Sequence, residues 1–142
     1  MIFSENFYRV GKPGDLEYNA SIASVYKGET GGSRQKQEHG GETKTAMKYI
    51  TFAIPCYNSE EYMEHAINSI LPAGEDVEIL VVNDGSKDQT AEIGKRYEAM
   101  YPGIVRVIDK ENGGHGDAVN AGLSQASGVY FKVVDSDDWV DE

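Results

Sequence analysis

From residue 47 onward the chain alternates between short unbroken apolar runs and longer stretches whose apolar residues recur at helical spacing. Residues 49–54 read as a first strand, closed by Pro55, which has no N–H to give a sheet. Asn58 is placed as the N-cap of the next helix, with Glu61 completing a capping box. Along that helix Tyr62, Met63, Ala66, Ile67, Ile70 and Leu71 form one apolar stripe, and Pro72 and Gly74 end it. Residues 77–82 form a second strand, so apolar that it suits burial on both faces. Asn83-Asp84-Gly85-Ser86 turns out of it into a helix with Ile93, Tyr97 and Met100 on its inner side, broken by Pro102-Gly103. Residues 104–108 make a third strand. The glycine-rich loop Asn112-Gly113-Gly114-His115-Gly116 then opens a small-residue helix over 118–126, Gly128 ends it, and residues 129–134 form a fourth strand.

Strands alternating with helices predict right-handed crossovers and an α/β, Rossmann-like, mainly parallel sheet with helices on both faces. Ligands of such sheets sit beyond the carboxyl ends of the strands. The polar clusters fall at those ends: Pro55-Cys56-Tyr57-Asn58, then Asn83-Asp84-Gly85-Ser86, the glycine loop, and the acidic run Asp135-Ser136-Asp137-Asp138.

Composition divides the chain in two. Hydrophobic residues are only 39% of the 142, and the shortfall is concentrated upstream, where glycine and charge crowd residues 28–42. Such a segment cannot offset its ordering entropy by burying apolar surface, so residues 1–46 are expected to be a flexible or disordered extension of a domain spanning 47–142. A net charge of −11 argues against nonspecific nucleic-acid binding. No apolar run reaches the roughly 18 residues of a spanning helix, and the N-terminus lacks a signal peptide's apolar core. With a single cysteine, Cys56, no internal disulfide forms; a buried free thiol in a reducing cytoplasm is the expected state.

The acidic run concentrates the chemistry. Three carboxylates within four residues repel unless a proton or cation lies between them, and Mg²⁺ or Mn²⁺ with phosphate co-ligands is the simplest neutraliser. A solvated acidic tail is the plainer alternative, but an apolar strand delivers this run to one place. A calcium loop is excluded because Trp139 and Val140 occupy its fifth and sixth positions. Asp84 is either a turn former or an acceptor for a nucleobase imide or ribose hydroxyl. Tyr57 is a loop aromatic or a stacking platform for a base. Asn58 caps its helix or touches ligand. The Gly113-Gly114-His115-Gly116 loop resembles a phosphate cradle, with His115 a phosphate contact or an exposed loop histidine. It is no dinucleotide fingerprint, since Val119 stands where the third glycine belongs. Trp139 reads as packing.

Taken together, Ile54-Pro55-Cys56-Tyr57-Asn58-Ser59-Glu60, the segment from Val81-Val82-Asn83-Asp84 to Thr90, Asn112-Gly113-Gly114 with Asn120-Ala121-Gly122, and Val134-Asp135-Ser136-Asp137-Asp138 resemble the N-terminal, nucleotide-sugar-binding half of a family-2 glycosyltransferase with the GT-A fold. The resemblance covers residues 47–142. It implies transfer of a sugar from a nucleotide-diphospho-sugar, a UDP-sugar favoured, to a saccharide, lipid-linked or protein acceptor hydroxyl, with inversion and help from Mn²⁺ or Mg²⁺. Pro55, Tyr57, Asn58, Asp84, Gly114, His115 and Asp135 would bind the donor nucleotide. Asp137 would be the principal metal ligand, Asp135 would serve ribose and metal, and Asp138 would support them. Many members carry a basic residue where Val119 stands, which leaves contacts on that side unassigned. The resemblance also implies cell-envelope polysaccharide synthesis in the cytoplasm, either free or peripheral at the inner face of the membrane.

The family's general base comes from well beyond the Asp-x-Asp motif, and this chain stops four residues after Asp138. The chain is therefore expected to carry the donor side without the base, and to transfer little sugar alone. The competing reading is a non-catalytic nucleotide- or metal-binding module that needs a partner. A nucleotidyltransferase is disfavoured, because its basic glycine-rich loop after the first strand is absent.

Overall fold

A computed structural model describes Tyr8, Arg9 and residues 47–141. In chain order the elements are β1 (Tyr8–Arg9), β2 (Ile50–Cys56), α1 (Met63–Ile70), a 3-10 segment (Leu71–Asp76), β3 (Val77–Asp84), α2 (Thr90–Met100), β4 (Val105–Lys110), α3 (His115–Gln125) and β5 (Tyr130–Val133). The four apolar runs become the parallel strands β2 to β5, as the alternating pattern predicts. β1 is an addition: it lies within the segment read as an extension and pairs antiparallel with β5, Tyr8 opposite Phe131. The remainder of that extension falls outside the described residues.

Sheet order is β1-β5-β2-β3-β4. From β2 the chain steps to β3 and on to β4, then returns past β2 to lay β5 on its other side. Right-handed crossovers in opposite directions must use opposite faces of a sheet. Accordingly α1 and α2 cover one face and α3 the other. Alternation along the strands feeds two cores. Ile50, Phe52, Ile54, Ile79 and Val81 pack with Met63, Ile67, Ile70, Ile93 and Tyr97, whereas Leu80, Val82 and Ile108 pack with Ala118. Burying each such large side chain contributes about 1.5–3 kcal/mol, which explains why the runs read so clearly.

Local differences from the sequence reading have identifiable causes. Pro55 does not close β2, which runs on to Cys56. Pairing with β5 has already stopped at Ala53–Val133, so Pro55 faces β3 alone and its missing N–H is tolerated. Asn58 is not an N-cap. The helix begins at Met63 with no side-chain cap, and Ser59 O accepts from the Tyr62 and Met63 amides instead. Tyr62 is half-exposed and drops out of the buried stripe, as does Met100 at the end of α2. There the buried residues are Thr90, Ile93, Gly94 and Tyr97, and Met100, although close to Ile93 in helical phase, is exposed as the last residue of the helix.

At the amino ends of the strands, Glu78 is buried and fully engaged. Its carboxylate accepts from Thr51 Oγ1 at 2.7 Å and Ser127 N at 2.9 Å, and pairs with Arg106 at 3.2 Å. Thr51 Oγ1 in turn accepts from Gly128 N at 2.8 Å, so this network fixes the turn into β5.

Candidate functional site

The reversal of strand order, with β3 and β4 added on one side of β2 and β5 on the other, puts a topological switch point between β2 and β5, where open α/β sheets leave a crevice beyond their carboxyl ends. A crevice of about 360 Å³ lies at this point, lined by Pro55, Tyr57, Asn58 and Ser59 after β2, Tyr62 before α1, His115 at the start of α3, and Asp135, Ser136 and Asp137 after β5. That volume is in the usual range for small-ligand sites.

The acidic run is held from behind. Val134, itself buried, donates its N–H to Ala53 O at 2.9 Å, and the Asp138 amide closes a turn on Asp135 O at 2.9 Å. Between the two lining carboxylates, Ser136 turns inward and shares a 2.8 Å hydrogen bond with Ser59 Oγ. Asp135 and Asp137 remain exposed. Asp138 is exposed too, but it does not line the crevice. Among the described residues no group of three or more His, Cys, Asp or Glu side chains could hold a metal alone. Two open carboxylates nevertheless suit a hard cation that completes its shell with phosphate oxygens and water, as Mg²⁺ does. His115 Nε2 lies 3.9 Å from Asp135 Oδ1, beyond hydrogen-bond length.

The loop after β2 is clasped to the loop after β3. Asn58 adopts a left-handed φ of 48°, a conformation asparagine tolerates better than most residues. Its N–H donates to Ser86 Oγ at 3.0 Å, and its Oδ1 accepts from Lys87 N at 2.8 Å. Ser59 N donates to the buried Thr90 Oγ1 at 2.8 Å. These bonds fix the backbone on which Tyr57 stands, half-exposed over the crevice. Beneath them Cys56 is a buried free thiol.

Asp84, which is buried, and Gly114, which is exposed, do not line the crevice. The Asp84 Oδ1 accepts from Lys110 Nζ at 2.7 Å and Gly113 N at 2.9 Å, and Oδ2 accepts from Gly114 N at 3.0 Å. Burial pushes this carboxyl up, but the Lys110 ammonium and the two glycine amides outweigh it and hold it below the ordinary aspartate value. Gly85, at φ +70°, permits this close contact between loops, since a Cβ there would lie 2.7 Å from Asn112 N. Trp139 packs its ring against His65, 4.9 Å between centroids.

Sequence reasoning missed Ser59, Ser136, Tyr62 and Lys110 as parts of the site. Ser59 and Ser136 lay inside recognised motifs with no role attached, and Tyr62 was absorbed into the apolar stripe. Lys110 left one usable signal, a lone cation where a strand meets a glycine loop.

The sequence and the fold resemble those of known proteins. Glycosyltransferase GlyA of Streptococcus pneumoniae is 43% identical over 94 residues, 66% of this chain and 13% of that protein. The structure of S. aureus TarS 1-349 in complex with UDP-GlcNAc superposes with a TM-score of 0.60 at 34% identity, covering 66% of this chain and 28% of that one. Glucosyl-3-phosphoglycerate synthase from Mycobacterium tuberculosis, solved with Mn²⁺, UDP and glucosyl-3-phosphoglycerate, gives a TM-score of 0.51 at 26% identity over 65% of this chain and 34% of that one. These neighbours are GT-A glycosyltransferases, and this chain spans about a third or less of each. The profile of glycosyl transferase family 2 matches residues 51–142, the same stretch that builds the sheet and its crevice, and the chain belongs to that family.

Proposed function

We propose that this chain forms the donor-binding part of an inverting, metal-assisted glycosyltransferase that takes a nucleoside-diphospho-sugar, with a UDP-sugar favoured. The observation that carries this reading is the meeting of Tyr57, His115, Asp135 and Asp137 in one crevice at the sheet's switch point, with Asp84 bonded to the Gly114 amide next to His115. The complexes of TarS with UDP-GlcNAc and of the mycobacterial synthase with Mn²⁺ and UDP support it.

Each residue then has a distinct task. Tyr57 offers an exposed ring for stacking a base. An ionised carboxylate has about four acceptor positions, and three on Asp84 are filled; the one left, on Oδ2, suits an imide N–H. Pro55 and Asn58 shape the nucleotide's edge of the crevice, while Gly114 and His115 open a helix whose N-terminal end suits the diphosphate. Asp135 reaches the ribose and, with Asp137, would hold Mn²⁺ or Mg²⁺, with Asp138 in support. The metal, when bound, offsets negative charge developing on the departing nucleoside diphosphate. No residue is assigned as the acceptor's general base.

Calorimetry of residues 1–142 with UDP tests this. Binding is expected in Mn²⁺ and at least about tenfold weaker in chelator or in Asp137→Ala. Equal affinity under all three conditions would sink the reading.

A further inference from the structure

We propose that Lys110, braced between Asp84 and Asp117, is a positioning residue for nucleobase recognition: it holds the Asp84 carboxylate charged and aimed, so that the crevice takes a base presenting a ring N–H and refuses one presenting a lone pair there. This inference rests on the donor-binding reading above.

Lys110 is the last residue of β4 and pairs in register with Asp84, the last residue of β3. Its ammonium reaches Asp84 Oδ1 at 2.7 Å, Asp117 Oδ2 at 2.5 Å and Glu111 O at 2.5 Å, so all three of its hydrogens are placed. The Asp84 side chain is only 4% exposed and that of Lys110 18%. A carboxylate so buried cannot remain charged without a partner, and removing the cation leaves it to protonate or to pull the loop apart. Asp117 stands in the first turn of α3, so the same ammonium ties the helix start to the end of β3. The glycine loop is thereby clamped from both sides, with its Gly113 and Gly114 amides on Asp84.

Selectivity follows from hydrogen-bond chemistry. A charged carboxylate only accepts, so it matches the N3–H of uracil and repels the N3 lone pair of cytosine. A protonated one can donate and would accommodate cytosine. Lys110 therefore sets which base is admitted, although it touches no base itself.

The test titrates UDP and CDP, each with Mn²⁺, into residues 1–142 carrying Lys110, Lys110→Met or Lys110→Arg, with thermal melting to report folding. The wild-type chain is expected to prefer UDP by at least about tenfold. Lys110→Met should narrow that preference to within about threefold, and Lys110→Arg should restore most of it. If Lys110→Met does not fold, Asp117→Asn removes one arm of the brace and should narrow the preference partway. A folded Lys110→Met, or failing that Asp117→Asn, that binds both nucleotides more weakly at an unchanged ratio shows a merely structural role and overturns the proposal. A wild-type chain that binds neither nucleotide overturns the donor-binding reading instead.

Discussion

Ser59→Ala is expected to loosen the metal-facing carboxylates without touching them. Ser59 is 3% exposed, and its hydroxyl has two substantial partners: Ser136 Oγ at 2.8 Å and the Tyr57 amide at 3.2 Å. A neutral hydrogen bond contributes about 1 kcal/mol net, so the substitution should destabilise the chain by about 1–2 kcal/mol in urea unfolding. The Tyr57 amide sits in an exposed residue and can turn to water, which places the larger share on Ser136. Freed from Ser59, Ser136 no longer fixes the backbone between Asp135 and Asp137, and the carboxylates can splay. Mn²⁺ affinity, read as free Mn²⁺ by electron paramagnetic resonance in the presence of UDP, should fall about tenfold, the usual scale for an outer support of a metal site. A double-mutant cycle with Ser136→Ala should return a coupling of about 1 kcal/mol. Additive single mutants together with unchanged Mn²⁺ affinity would refute the reasoning.

Cys56 lies against the site and yet should be chemically silent. Burial above all, with the Asp88 charge adding and a Ser59 hydrogen bond opposing, pushes its thiol up to about 12, so almost no thiolate exists at pH 8. Ellman's reagent should leave the native chain unlabelled and react fully in urea; fast native labelling would contradict the packing. Stability should also fall in acid through Asp84 and Asp109, the latter held low by Asn83 above all and by Lys95 despite partial burial. Folded values below the unfolded value of about 3.9 mean that their contribution is present above about pH 4 and lost as pH falls through the lowered values. Thermal melts between pH 6 and pH 2.5 should show that loss, and Asp84→Asn should flatten it; an equally steep Asp84→Asn profile would count against the assignment.

Which features were legible in the sequence follows from the range of the interactions involved. The strands were visible because β2 and β3 are buried along their whole length, so local composition reports a global fact. Their carboxyl-end loops were visible as polar clusters for the same reason. The N-cap reading of Asn58 failed because the residue's partners, Ser86 and Lys87, lie 28 and 29 residues away. A capping box is a local pattern, and a contact across two loops outbid it. Glu78 carries a charge in an otherwise apolar strand, and only the fold reveals the Thr51, Ser127 and Arg106 groups that satisfy it. Lys110 left only a faint signal on the same grounds: its ion pairs with Asp84 and Asp117 arise from strand register and from a helix turn several residues later.

The site uses one residue type in two opposed ways. Asp84 is enclosed, has three donors on its carboxylate and carries its counter-cation within the chain. That charge already has a counter-cation, so on the donor-binding reading an incoming base would meet a fixed acceptor with little reorganisation. Asp135 and Asp137 are the reverse: exposed, braced by backbone bonds on either side and by Ser136 between them, and with no Lys or Arg ion pair among the described residues. A cation would relieve their repulsion, and one with phosphate co-ligands suits two open carboxylates. Occupancy of the acidic side should therefore depend on metal and diphosphate together, while the Asp84 side is set in advance by Lys110. On the donor-binding reading, the crevice would read a nucleotide's base with a preformed charge and its diphosphate with a charge still to be completed.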